Sequence, residues 1–201
     1  PKTVILGGFF CGLCLFAAST FQQMAMSDTA AGKAGFITAF YIVLVPVFGL
    51  FIGKHTNIAV WIAVVLAIAG LFFLCIKDEF TISPSDASLF ACAAVFACHI
   101  FVIDYFSPKA DGVMLSCIQF AVSAVLSFIF MLIFEGVPSG ENVSAAFTAL
   151  LYSGVMACGV AYTLQIIGQK NANPAVASII LSLESCFSVI GGMLLLGQML
   201  S

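Results

Sequence analysis

Residues 112–134 read GVMLSCIQFAVSAVLSFIFMLIF, a stretch without one charged side chain, closed on either side by Asp111 and Glu135. A bilayer core about 30 Å thick needs roughly 20 apolar residues in a helix to cross it. This stretch meets that length, and it is apolar on every face. A membrane β-strand would alternate apolar and polar residues over about ten positions. The segment therefore reads as a transmembrane helix.

The pattern recurs along the chain. Helical spans are expected at Thr3–Met26, Ala34–Gly53, Asn57–Ile76, Ala87–Phe106, Gly112–Phe134, Ser144–Gly168 and Pro174–Gln198. The fold class is all-α, a polytopic bundle of about seven spans. Short polar linkers separate them: Ser27–Thr29, Lys54–Thr56, Lys77–Asp86, Ser107–Asp111, Gly136–Asn142 and Asn171–Pro174. Pro174 suits a first helical turn, where its missing N–H costs nothing. Trp61 stands near a span start, where an indole favours the interface.

Composition agrees. The chain has 63% hydrophobic and 7% charged residues, where a soluble domain carries about 25% charged residues. All six basic residues are lysine, and the net charge of −3 is dispersed, so nucleic acid is excluded as a partner. The eight cysteines lie in apolar runs with no zinc-type spacing, and read as small apolar packing residues. No metal or cofactor is expected. Lys2, Lys54, Lys109 and Lys170 fall on one side by alternation, against Lys33 and Lys77 on the other. That bias makes the first side cytoplasmic. The chain starts at Pro1, without methionine, and stops just after an apolar run, so a piece of a longer protein cut at both ends is expected.

Small residues recur at helical spacing: Gly8 and Gly12, Gly49 and Gly53, then Gly154, Cys158, Ala161, Gln165 and Gly168, and last Ser178, Ser182, Ser185 and Gly192. Such stripes let helices approach closely. A weak internal repeat is also present. A shift of 143 aligns Gln22 with Gln165 and Ala34 with Ala177; a shift of 139 aligns Pro46-Val47-Phe48 with Ser185-Cys186-Phe187. A repeat of five helices must be inverted in the membrane, an arrangement associated with secondary transporters.

Lys33-Ala34-Gly35-Phe36-Ile37-Thr38, with Tyr41 and Leu44-Val45-Pro46-Val47-Phe48, resembles the fourth helix of EamA-type permeases of the drug/metabolite transporter superfamily. Asn173 to Ser185 resembles their ninth helix, with Ser185 where the family usually has proline. Gln198 stands where the family often has glutamate after glycine. The resemblance implies ten helices in two inverted halves of five. On that map, residues 1–77 are the last three helices of the first repeat, 78–86 the loop between repeats, and 87–201 the first four helices of the second. It also implies a multi-pass protein of a bacterial plasma membrane, moving small metabolites by alternating access. A coupling ion and a homodimer stay open.

Polar groups inside spans mark candidate sites, because burying them is costly unless they are paired or solvated. Glu184 stands mid-span, as a hydrogen-bond hub or as part of a solute or proton pathway. Gln22, Gln119 and Gln165 offer amides to a polar solute or to a neighbouring helix, and Gln23 lies beside Gln22. Thr38 and Tyr41 share a helix face. The candidate substrate set is thus Gln22, Thr38, Tyr41, Gln119, Gln165 and Glu184. His99 and Glu184 are candidate proton-relay groups. Asp104 is expected at interfacial water or a lysine. Pro46 removes one helical hydrogen bond and is a candidate kink and hinge.

Other readings are weaker. A retinal protein needs a lysine inside a span, and all six lie at span ends or in loops. An intramembrane enzyme needs paired aspartates or an activated nucleophile, and no G-x-S-x-G is present. A Walker-type loop is also lacking, which argues against ATP drive by this chain. A membrane scaffold without transport remains as an alternative. The expected partners are lipid and a small-molecule substrate.

Overall fold

The computed structural model describes residues 2–26, 28–29, 31–54, 56–75 and 83–196, with the side chains at 31, 32, 74, 75 and 188–196 outside that description. The expected Gln198 position, most of the Lys77–Asp86 linker and the expected packing at Gly192 lie outside the described residues. Among the described residues all regular structure is helical: α1 Lys2–Met26, α2 Ala31–Thr38, α3 Tyr41–Phe51, α4 Ile58–Cys75, α5 Pro84–Phe106, α6 Gly112–Phe134, α7 Gly140–Tyr152, α8 Thr163–Gln169 and α9 Pro174–Leu196. A 3₁₀ turn covers Ser107–Lys109, and a π-helical segment, Ser153–Tyr162, joins α7 to α8. Five stretches are long and apolar enough to cross a membrane: Lys2–Met26, Lys33–Phe51, Pro84–Lys109, Gly112–Phe134 and Gly140–Gln169. Ile58–Phe73 and Pro174–Phe187 are shorter apolar helices.

Local chemistry sets the starts of the helices. The first turn leaves N–H groups without helical partners, and short polar side chains accept from them. Asn57 Oδ1 accepts from the Ala59 N–H (3.2 Å), Asp111 Oδ1 from Met114 (2.9 Å), Ser139 Oγ from Asn142 (3.3 Å) and Asn173 Oδ1 from Ala175 (2.9 Å). At α5 the carboxylate of Asp86 takes two bonds from Ser83. The Ser83 N–H donates to Asp86 Oδ2 at 2.8 Å, and the Ser83 hydroxyl lies 3.1 Å from Oδ1. Ser83 precedes the helix, Pro84 is its first residue and Asp86 its third, and the Asp86 carboxylate reaching back to the Ser83 N–H is one half of a capping box. This helix therefore starts at Pro84, ahead of the expected Ala87.

Two expected spans are interrupted. The span over Ala34–Gly53 breaks at Ala39–Phe40 into α2 and α3. Phe40, Ile42 and Val43 donate to carbonyls three residues back, from Ile37, Ala39 and Phe40. The ladder thus tightens into 3₁₀ geometry one turn ahead of Pro46, whose ring crowds the preceding turn and leaves the Ile42 carbonyl without its usual donor. Pro46 itself is buried within α3. The expected span Ser144–Gly168 contains the π segment, with Gly154 and Gly159 one five-residue π repeat apart. Glycine holds an α-helix weakly, which lowers the cost of the wider turn.

The glycine pairs divide by role. A Cβ added at Gly8 would lie 2.5 Å from the Ile118 side chain, and one at Gly12 2.6 Å from the Gln119 carbonyl oxygen. These are close-packing glycines, as expected. Gly49 and Gly53 instead end α3. Gly53 has φ +73, its N–H donates to Leu50 (3.2 Å), and the Lys54 N–H donates to the Gly49 carbonyl (2.8 Å). That pattern is a Schellman cap. The stripe Gly154–Gly168 is largely exposed or half-exposed, and a Cβ at Gly154 or Gly168 would meet nothing within 4 Å.

The chain divides into two compact units. One contains residues 1–16 and 102–172, the other residues 17–101 and 173–201. The first unit centres on Cys11, Ile103, Leu115 and Ile166. An α6–α8 bond joins Thr163 Oγ1 to Ser116 Oγ at 2.9 Å. The second unit has three apolar clusters, centred on Ile42 and Val64, on Ile37 and Leu89, and on Val45 and Ile100. Much apolar surface is exposed, including Phe128, Ile129 and Ile133 of α6, which suits contact with lipid.

Candidate functional site

Six of the candidates, Gln22, Thr38, Tyr41, Pro46, His99 and Glu184, belong to the second unit; Gln119 and Gln165 belong to the first. In the second unit the start of α2 packs against the start of α5 in layers. Outermost is an ion pair, Lys33 Nζ to Asp86 Oδ2 at 2.8 Å, with side chains 18% and 4% exposed. One turn further along both helices lie Ile37 of α2 and Leu89 of α5, in one apolar cluster with Ala34, which adjoins Lys33, and Ala25 of α1. Next come Thr38 and Cys92. Thr38 is buried, its Oγ1 lacks a well-formed hydrogen bond, and the Cys92 thiol is the polar group beside it. The α2–α3 break follows at once.

Tyr41 opens α3 half-buried and packs against two apolar clusters, one with α4 and the other with α5 and α9. Thr38 ends α2 and Tyr41 opens α3, so the two flank the break. Gln22 is half-buried in α1 and Gln23 exposed. His99 is fully buried in α5.

Glu184 is exposed. The face of α9 that packs against α3 and α4 includes the serine stripe: Ser178 and Ser182 are buried and Ser185 half-buried. Glu184 lies roughly 120° around the helix from Ser178. The serine hydroxyls are committed to their own helix, Ser178 to the Ala175 carbonyl (2.8 Å) and Ser182 to the Ile179 carbonyl (2.7 Å). They serve as small packing residues.

In the first unit Gln119 is fully buried and Gln165 half-buried. Asp104 is half-buried at the end of α5. The nearby Lys109 places its Nζ 3.2 Å from the centroid of the Tyr105 ring, a cation–π contact.

A small recess of the second unit is lined by Val45, Pro46, Gly49, Lys54, Phe101 and Asn173, with others. Of the sequence candidates only Pro46 lines it. The side-chain oxygen of Asn173 is already committed to capping α9.

Sequence reasoning missed the Lys33–Asp86 pair, having placed Lys33 at a span edge and Asp86 in a linker. The signal was there in part: Ser83-Pro84-Ser85-Asp86 spells a capping box and so puts Asp86 inside a first helical turn.

These features define a multi-pass α-helical membrane protein with a broken crossing and few polar groups inside it. Residues 84–201 match the model of the EamA-like transporter family, more than half of the chain, and the protein belongs to that family. An uncharacterized transporter of Archaeoglobus fulgidus is 30% identical over 195 residues, which are 96% of this chain and 62% of that relative. A protein of known crystal structure, 18% identical, matches the whole chain with a TM-score of 0.79 over 70% of its own length. That likeness concerns the fold. The chain thus spans 62% of the length of the curated relative it matches.

Proposed function

We propose that this chain belongs to a secondary transporter that moves a small polar metabolite by alternating access, with the α2–α3 break as part of the solute path. The observation that carries this reading is the break itself. A mid-helix 3₁₀ stretch often marks a functional hinge, and transporters place their sites where crossing helices are interrupted. Here it is flanked by buried Thr38 and half-buried Tyr41. Their hydroxyls suit a solute with hydrogen-bonding groups. Gln22, Gln119, Gln165 and Glu184 are further candidates for that path, His99 and Glu184 for proton movement, and Pro46 for the hinge. By the lysine count along the sequence, the side of Lys2, Lys54, Lys109 and Lys170 is the cytoplasmic one, opposite Lys33 and Lys77.

The test is flux in proteoliposomes containing the full-length parent protein. A panel of amino acids and other small polar metabolites is offered with and without an imposed proton or sodium gradient. Gradient-dependent uptake of one class, reduced by Thr38→Val and by Tyr41→Phe, is the expected result. Absence of carrier-mediated flux across the panel favours the scaffold reading.

A further inference from the structure

We propose that Lys33 and Asp86 form a latch that seals the approach to the α2–α3 break from the membrane side on which these two residues lie. This rests on the transport reading above and adds the gate to it. The layering supports it. Along the starts of α2 and α5 the ion pair comes first, the apolar cluster of Ala25, Ala34, Ile37 and Leu89 adjoins it, and buried Thr38 and Cys92 lie at its far end. At 1.5 Å of rise per residue, Thr38 lies about 7.5 Å deeper than Lys33, and Cys92 about 9 Å deeper than Asp86. A solute reaching the break from that side meets charge, then a dry layer, then polar groups.

The pair has the physics of a contact that is made and broken. Asp86 is buried and Lys33 half-buried; an ion pair so far withdrawn from water adds little net stability, because desolvation offsets the attraction, yet separating the charges without water is costly. Once water enters, both charges are solvated and the separation is cheap. Such a contact has two states, closed and dry or open and wet.

The two partners are mounted differently. Asp86 is fixed by the Ser83 N–H and hydroxyl at the start of a 23-residue helix. Lys33 rides on α2, a helix of only eight residues that joins α3 through a 3₁₀ stretch with hydrogen bonds at Phe40, Ile42 and Val43, the kind of stretch that often marks a hinge. A short segment bearing one charge can swing against an anchored partner.

The experiment uses the full-length protein in membrane vesicles and a membrane-impermeant maleimide applied to each side in turn. Labelling of Cys92 and of Cys11, both buried, is read by mass spectrometry. Lys33→Met removes the pair and leaves the α5 cap intact. Asp86→Asn removes the charge and keeps an acceptor for the Ser83 N–H. Both variants are expected to raise the Cys92 labelling rate roughly tenfold, the change expected when a minor open state becomes well populated. Cys11 should remain protected, and Lys33→Arg should label at the wild-type rate. Equal Cys92 rates in all four proteins overturn the latch. So does parallel labelling of Cys92 and Cys11, which marks loss of fold. The readout needs no substrate, so a latch that passes beside absent flux overturns only the transport reading.

Discussion

Gly12 of α1 lies so close to Gln119 of α6 that a Cβ at position 12 would stand 2.6 Å from the Gln119 carbonyl oxygen and 2.7 Å from Val122 Cβ. The obstacle is backbone, which cannot rotate away, so an added methyl must push the two helices apart. Gly12→Ala is expected to destabilise the protein by about 1–3 kcal/mol, the usual cost of overpacking. At Gly70 in α4 an added methyl would meet nothing within 4 Å, so Gly70→Ala should be neutral or raise stability by up to about 1 kcal/mol through helix propensity. Thermal unfolding in detergent distinguishes the two.

Gly53 tests the end of α3. Its φ of +73 is a conformation other residues adopt at a cost, and Gly53→Ala should lose about 1–2 kcal/mol. Gly53→Asn should lose less, since asparagine tolerates this region better. Equal losses for Ala and Asn would show that packing, and not the backbone angle, fixes glycine here.

The bond from Thr163 to Ser116 ties α8 to α6. A double-mutant cycle with Thr163→Val and Ser116→Ala should give a coupling energy of about 0.6 kcal/mol, typical of interhelical hydrogen bonds in membranes. Strict additivity of the two substitutions would show that the bond contributes nothing to stability.

Glu184 separates stability from transport. Because it is exposed and lies off the packed face of α9, Glu184→Gln should change stability by no more than about 0.5 kcal/mol. If the carboxylate serves the solute or proton path, gradient-driven flux should fall at least tenfold, or about 1.4 kcal/mol in the barrier. Unchanged flux in a folded variant would remove Glu184 from the path.

Much of the architecture was open to reading without coordinates. The apolar runs placed the helices, and Pro174 was legible as a first helical residue, as it is in α9. The break in the second crossing was half-read: Pro46 announced a disturbance, but the chain releases it a turn earlier, at Ala39–Phe40, where 3₁₀ hydrogen bonds take up the change. The glycine pairs looked alike in sequence. Gly8 and Gly12 face another helix while Gly53 turns the backbone, a difference that lies in φ and in neighbours.

The membrane class follows from the sequence alone because transfer from water to lipid is nearly a sum over residues and needs no partner. Helix starts are local too, since a cap reaches only two or three residues along its own chain, although α5 begins three residues ahead of the expected Ala87. What the tertiary structure decided is which polar groups meet. Lys33 and Asp86 belong to different helices, and so do Ser116 and Thr163. Glu184 and the serine stripe share one helix and part company by the angle at which it packs. Those pairings depend on how helices rotate and approach, and rotation is set by the fit of many side chains at once.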